Sequence, residues 1–215
     1  MKFRPVYYMI SGWPSLEKTR EMVRRYVEHG VTALQFDMPG ADPSRESAFI
    51  QQGMRHARAL YGEDYDVFMD ALRGIRCEFP ELEIHLVVYP DVVERIGLER
   101  FGDFCQEIGI YSVLPGDKDK MKYLSNRGIA TAAFIGYDTS DAAIELARAS
   151  DKHIVFVSNA NGRTQPREGL VTWAERIGYI RAHGAKYCPL AGDPCTGGAS
   201  SAEGGRLLSR LRDDG

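Results

Sequence analysis

The sequence predicts an α/β fold: a TIM-type (β/α) barrel that is incomplete, with about seven βα units and the eighth missing or replaced. Three observations predict it. Apolar, β-rich runs recur seven times along the 215 residues. After nearly every run comes a stretch with helical periodicity, so the strands are parallel and joined by crossover helices. Directly after the runs, polar residues gather, five times with an Asp among them, and in parallel α/β folds ligands bind beyond the carboxyl ends of the strands.

The first run, residues 6–10, is followed by Ser15, a helix-capping residue, and then by Leu16, Thr19, Met22, Val23, Tyr26 and Val27 on one helical face. The second run, 31–36, leads through Asp42-Pro43 into a stripe of Phe49, Ile50, Met54 and Ala57. Before the third run, 84–88, residues 67–75 have room and periodicity for an inserted helix. The fourth run is 110–114. The fifth, 129–135, precedes Thr139-Ser140 and a helix over 142–147. The sixth is 154–157 and the seventh 185–190. Residues 191–198 are loop-like, 202–211 can form one more helix, and no sequence is left for an eighth strand. Strands one and seven then keep open edges, so a homodimer, or coverage by the Gly-rich C-terminal segment, is expected. No stretch reads as a linker, which makes residues 1–215 a single barrel-like domain.

Composition narrows the partners. The 27 basic and 30 acidic residues are spread along the chain for a net charge of −3, without the basic stripe that nucleic-acid binding requires. No apolar run approaches the ~18 residues of a membrane span, and the N-terminus lacks the apolar centre of a signal peptide, so a cytoplasmic protein is expected. Cys77, Cys105, Cys188 and Cys195 form no C-x-x-C pair, and read as reduced thiols. There is no sign of an organic cofactor.

The candidate chemistry lies where the strands end. In a strand, residues two apart share a face, so Gln35 projects with Asp37, and His85 with Val87 and Tyr89. Asp37, inside a strand run, is a candidate acid/base, because partial desolvation moves a carboxyl toward working pH. Asp42, Asp91 and Asp138 fit helix capping. His85 has no second His at metal-ligand spacing and reads as a core histidine, so no metal is expected. Two Gly-rich segments, Asn161-Gly162-Arg163-Thr164 and the stretch from Gly192 to Gly198, follow the sixth and seventh runs. Each fits a phosphate held on backbone N–H groups and fits a plain turn equally well.

Over nearly its whole length the chain resembles the tryptophan synthase α subunit family. Tyr8 to Glu17 are similar to that family's opening strand, Gly-x-Pro-Ser turn and first helix. Leu34 to Pro39, then Ala41-Asp42-Pro43 and Phe49-Ile50-Gln51, resemble its second strand, Asp-Pro turn and Ile-Gln helix. Leu86 to Asp91, and 92–104 after them, look like its third strand and helix, with Tyr89 at the strand-end tyrosine. Residues 109–114 and 153–158 resemble its fourth and sixth strands. The resemblance implies a barrel lyase that cleaves indole-3-glycerol phosphate by a retro-aldol reaction, and a β subunit as partner.

At the catalytic positions the chain departs from the family. Where the resemblance implies the strand-two glutamate, the chain has Gln35, an amide that transfers no proton at neutral pH. Glu46-Ser47 replaces the family's Asp-Gly pair, and Asp37 replaces a glycine two residues past the glutamate position, about 6–7 Å along the strand. The expectation is a diverged lyase or proton-transfer enzyme acting on a small anionic substrate. Asp37 would be its acid/base, Glu46 and Asp117 electrostatic or hydrogen-bonding partners, and Tyr89 the residue that orients the substrate. Gln35, Asn159, Asn161, Gly162, Arg163 and Gly192 would bind that substrate. Two other readings stand beside it: indole-3-glycerol phosphate cleavage through Asp37 or Glu46, and a non-catalytic binding or regulatory protein.

Overall fold

Strands and helices alternate along the backbone as the periodicity dictates. The computed structural model describes residues 6–44, 46–149, 154–157, 164–183, 190–192 and 207–209. In chain order the elements are β1 (Tyr7–Met9), α1 (Leu16–Glu28), β2 (Ala33–Met38), α2 (Ala48–Tyr61), α3 (Tyr65–Glu78), β3 (Glu83–Val88), α4 (Pro90–Ile96), α5 (Leu98–Glu107), β4 (Ser112–Leu114), α6 (Lys118–Asn126), β5 (Ala132–Ile135), α7 (Asp141–Arg148), β6 (Ile154–Val157), α8 (Trp173–His183), β7 (Leu190–Gly192) and β8 (Leu207–Ser209). They group into two compact units, one of Tyr8–Asp117 and the other holding the described residues from Lys118 onward together with Val6 and Tyr7.

In the first unit the sheet order is β1-β2-β3-β4. β2 and β3 run parallel with Gln35 opposite His85 and Asp37 opposite Val87, and β3 and β4 run parallel with His85 opposite Ser112. Every residue of β2 is buried, as a parallel strand covered on both faces requires. Ser15 caps α1 by accepting the Lys18 N–H at 3.1 Å. On that helix Thr19 and Val23 are buried, whereas Met22, expected on the apolar face, is exposed. The inserted helix is α3, begun by Asp64, which accepts the Asp66 N–H at 3.1 Å. Glu78 near its end takes Arg20 and Arg24 of α1 as partners, and Arg73 grips Glu107 of α5 with two bonds of 2.7 Å. Arg76 donates to the carbonyls of Pro80, Leu82, Ile108 and Gly109, tying the turn before β3 to the turn before β4. Gly97, at φ 88°, separates α4 from α5 and supplies the left-handed residue that the break needs.

In the second unit β5 and β6 run parallel, with Ala132 opposite Ile154. Ala133 and Ile135 of β5 pack with Ile144 and Ala147 of α7 and Ile180 of α8. Arg176 of α8 is buried between the rings of Tyr137 and Trp173, 5.0 and 5.5 Å from their centroids. Its guanidinium donates to Thr139 Oγ1 at 3.1 Å and to the Gly136 carbonyl at 2.7 Å.

Three expectations change here. The seventh strand is Leu190–Gly192 among the described residues, so Gly192 belongs to a strand, opposite Leu207, rather than to a loop. Residues 207–209, expected within a last helix, form β8, antiparallel to β7. Gly204-Gly205 just before them would each cost a helix about 1 kcal/mol. And α2 is opened by Ser47, which accepts the Ile50 N–H at 3.4 Å, while Asp42 closes a local turn on the Ser44 N–H at 3.1 Å. Among the described residues no helix is long and apolar enough to cross a membrane.

Candidate active site

Parallel register sorts the side chains of β1 to β4 into layers. Gln35, His85 and Ser112 occupy one row across β2, β3 and β4. His85 sits with Nδ1 2.7 Å from Ser112 Oγ and Nε2 2.8 Å from Glu83 Oε1, so both ring nitrogens are used inside the fold. One layer nearer the carboxyl ends lies Asp37, fully buried at 0% exposure. The Tyr8 hydroxyl donates to its Oδ2, and the Ser11 N–H donates to Oδ1 at 3.0 Å. Tyr8 comes from β1 and Ser11 from the turn beyond it. Both carboxylate oxygens thus have a donor.

The second carboxylate is in the β2–α2 loop. Glu46 Oε1 accepts from the Tyr89 hydroxyl at 2.9 Å. The loop itself is fixed by several bonds: Glu46 N–H to the Pro43 carbonyl at 2.9 Å, Gln51 Nε2 to the Glu46 carbonyl at 2.9 Å, and the Ala41 N–H to Asp91 Oδ2 at 2.7 Å. Asp91 therefore braces a neighbouring loop, although capping of its own helix was expected. Tyr89 begins α4 with Pro90 at the first helical position. Its ring lies so close to Gly40 that a Cβ there would stand 2.6 Å from Tyr89 Cγ, so only glycine fits. Tyr8, Ile10, Ile50 and Met54 form one buried cluster, against which Trp13 and Tyr89 pack. Each carboxylate is hydrogen-bonded to a tyrosine, and both tyrosines belong to the same packed group.

Of the residues proposed from sequence, Asp37, Glu46 and Tyr89 are brought to this end of the sheet. Gln35 lies one layer deeper. Asp117 is half-buried, three residues past β4 and just before α6. Asn159, Asn161, Gly162 and Arg163 lie outside the described residues, and Gly192 is in β7. Tyr8, Ser11 and Gly40 were missed. For Tyr8 a signal existed: a buried strand tyrosine needs a partner for its hydroxyl. Among the described residues no group of three or more His, Cys, Asp or Glu is placed to hold a metal ion.

Parallel strands, crossover helices and acidic side chains at the strands' carboxyl ends are the features of a (β/α)-barrel protein, a class whose ligands bind at that end of the strands. A family model described as tryptophan synthase alpha chain matches residues 3–182, and the chain belongs to that family. The tryptophan synthase alpha chain of Aquifex aeolicus is 28% identical over 173 residues, 77% of this chain and 65% of the relative. That of Corynebacterium aurimucosum is 36% identical over 177 residues, 82% of this chain and 56% of the relative. The chain thus spans less than two thirds of the length of these relatives. Among solved structures, the alpha subunit from Legionella pneumophila superposes with a TM-score of 0.73 at 19% identity, covering 89% of this chain and 72% of the other. The tryptophan synthase a2b2 complex from Pyrococcus furiosus gives 0.64 at 16% identity, covering 89% and 88%. The fold is the TIM-type barrel of these alpha subunits, in incomplete form.

Proposed function

We propose that this chain is a diverged enzyme of the tryptophan synthase alpha type that acts on a small anionic substrate by C–C bond cleavage or proton transfer. Asp37 is its acid/base. The observation that carries the reading is the buried Asp37 carboxylate, held on both oxygens by Tyr8 and Ser11, one layer beyond a glutamine that can transfer no proton. A deeply buried carboxylate is costly even with hydrogen bonds to offset its desolvation, and such groups concentrate at functional sites.

In this reading Glu46 and Tyr89 act as one unit that orients the substrate, with Asp117 as a further electrostatic partner. Asn159, Asn161, Gly162, Arg163 and Gly192 hold the anionic group. A β-type subunit or a second copy of the chain is the protein partner, and the location is cytoplasmic. Gln35 favours a second reading, in which the chain keeps the fold as a non-catalytic binding protein.

Calorimetric titration with indole-3-glycerol phosphate and glyceraldehyde 3-phosphate, beside an assay for indole release, tests this. Expected is binding of glyceraldehyde 3-phosphate without indole release, weakened at least tenfold in Asp37→Asn. Indole release abolished in Asp37→Asn would instead restore the family reaction with a relocated base. Binding of neither compound would overturn the phosphate-bearing substrate and leave the non-catalytic reading.

A further inference from the structure

The β2–β3 ladder ends where Met38 lies opposite Val88, and Pro39 and Gly40 beyond it are still buried. A buried carbonyl past the last ladder bond needs a donor from elsewhere in the fold. For Pro39 the inserted helix supplies it: the Tyr65 hydroxyl donates to the Pro39 carbonyl at 2.9 Å. Tyr65 is the first residue of α3 and only 4% exposed. Its hydroxyl in turn accepts from Arg58 Nη1 at 3.0 Å. Arg58 lies in the last turn of α2, and Gly62, at φ 63°, lets the chain turn sharply from α2 into α3. Arg58 is held by Glu63 Oε1 at 2.9 Å, and Arg95 of α4 reaches Glu63 Oε2 at 3.2 Å. Burial pushes the Tyr65 phenol above its ordinary range, so the hydroxyl remains a donor at neutral pH.

The residues that follow Pro39 are held as firmly. Gly40 lies against the Tyr89 ring, where a Cβ would stand 2.6 Å from Tyr89 Cγ, and the Ala41 N–H donates to Asp91 Oδ2 at 2.7 Å. This stretch is the chain between Asp37 and Glu46. Contact as close as that between Gly40 and Tyr89 transmits a displacement of the backbone to the ring. The Tyr89 hydroxyl at the far side of that ring donates to Glu46 Oε1 at 2.9 Å.

We propose that Tyr65 is a positioning residue of the candidate site: its bond to the Pro39 carbonyl sets the turn at 39–41 and, through Gly40, the Tyr89 hydroxyl that holds Glu46. The proposal rests on the reading of this strand end as the substrate site, and it gives the inserted helix a part in the geometry of that site.

Tyr65→Phe removes one oxygen and keeps the ring, and it is tested on the whole protein with tyrosines carrying carbon-13 at the ring carbon that bears the hydroxyl. The Tyr89 resonance is identified by its absence from Tyr89→Phe, and Glu46→Gln shows where that resonance moves when the carboxylate is lost. Tyr65→Phe is expected to shift the Tyr89 resonance toward its position in Glu46→Gln. It should also weaken binding of glyceraldehyde 3-phosphate about threefold to tenfold, the worth of one neutral hydrogen bond. Ile75→Val, a truncation of a buried residue in the same helix, is the control: it should lower the Tm and leave both readouts unchanged. A Tyr89 resonance that stays in place in Tyr65→Phe, or moves equally in Ile75→Val, would overturn the proposal. So would glyceraldehyde 3-phosphate binding that is as tight in Tyr65→Phe as in the wild-type protein. If the wild-type protein binds no glyceraldehyde 3-phosphate, the phosphate-bearing substrate falls, and the Tyr89 resonance alone decides whether Tyr65 positions the Tyr89–Glu46 pair.

Discussion

At the scale of single residues, two tyrosine–carboxylate pairs, Tyr8 with Asp37 and Tyr89 with Glu46, fix the carboxylates in β2 and in the loop just beyond it. Tyr8 contributes a hydroxyl to a carboxylate that has no access to water, so Tyr8→Phe leaves that charge short of a donor. The loss should be about 1–3 kcal/mol in urea unfolding; a change under about 0.5 kcal/mol, the level of an ordinary surface substitution, would mean that the bond contributes nothing. Gly40 is a test of the second pair. A methyl group there stands 2.6–2.8 Å from three atoms of Tyr89, so Gly40→Ala must push the ring aside and break its bond to Glu46. Destabilisation of about 1–3 kcal/mol is expected, with a changed near-UV dichroism from the displaced tyrosine. An unaltered spectrum and stability would show that the ring moves without consequence.

At the scale of elements, ion pairs hold the outer helices together. Glu78 joins α1 to α3, and its hydrogen bond from Arg24, followed by that from Arg20, holds its carboxyl below the usual range. A folded value below the unfolded one means that the contribution is complete above the unfolded carboxylate range, near pH 4.3, and is lost as the pH falls through the folded value. The gap in urea midpoint between the wild-type protein and Glu78→Gln should therefore shrink below about pH 4 and in high salt. A gap that is constant down to pH 3 would remove these bridges from the account of stability. Arg76, which grips four carbonyls from two turns, does through neutral acceptors what Glu78 does through charge. No spacing rule in the sequence singled out either residue.

At the scale of the molecule, each compact unit contains one of the two tryptophans, Trp13 in Tyr8–Asp117 and Trp173 in the other. Trp13→Phe and Trp173→Phe give each unit its own fluorescent reporter. If the chain folds as one barrel, the two variants should unfold in urea with probe-independent, coincident transitions; well-separated midpoints would divide it into two folding units.

What the sequence determined by itself was the alternation of strands and helices, the inserted helix before β3, and the barrel end at which Asp37, Glu46 and Tyr89 lie. Those are matters of local periodicity and of side-chain alternation along a strand. The helix expected over 202–211 and the cap expected at Asp42-Pro43 were misread for a related reason: residues with more than one local use are settled by their surroundings. Only the tertiary structure decided that Tyr8 and Ser11, 29 and 26 residues from Asp37, close on its carboxylate, and that Gly40 makes room for Tyr89. Such partners come from other segments of the chain, and their meeting depends on strand order and register, which no pattern within one segment encodes.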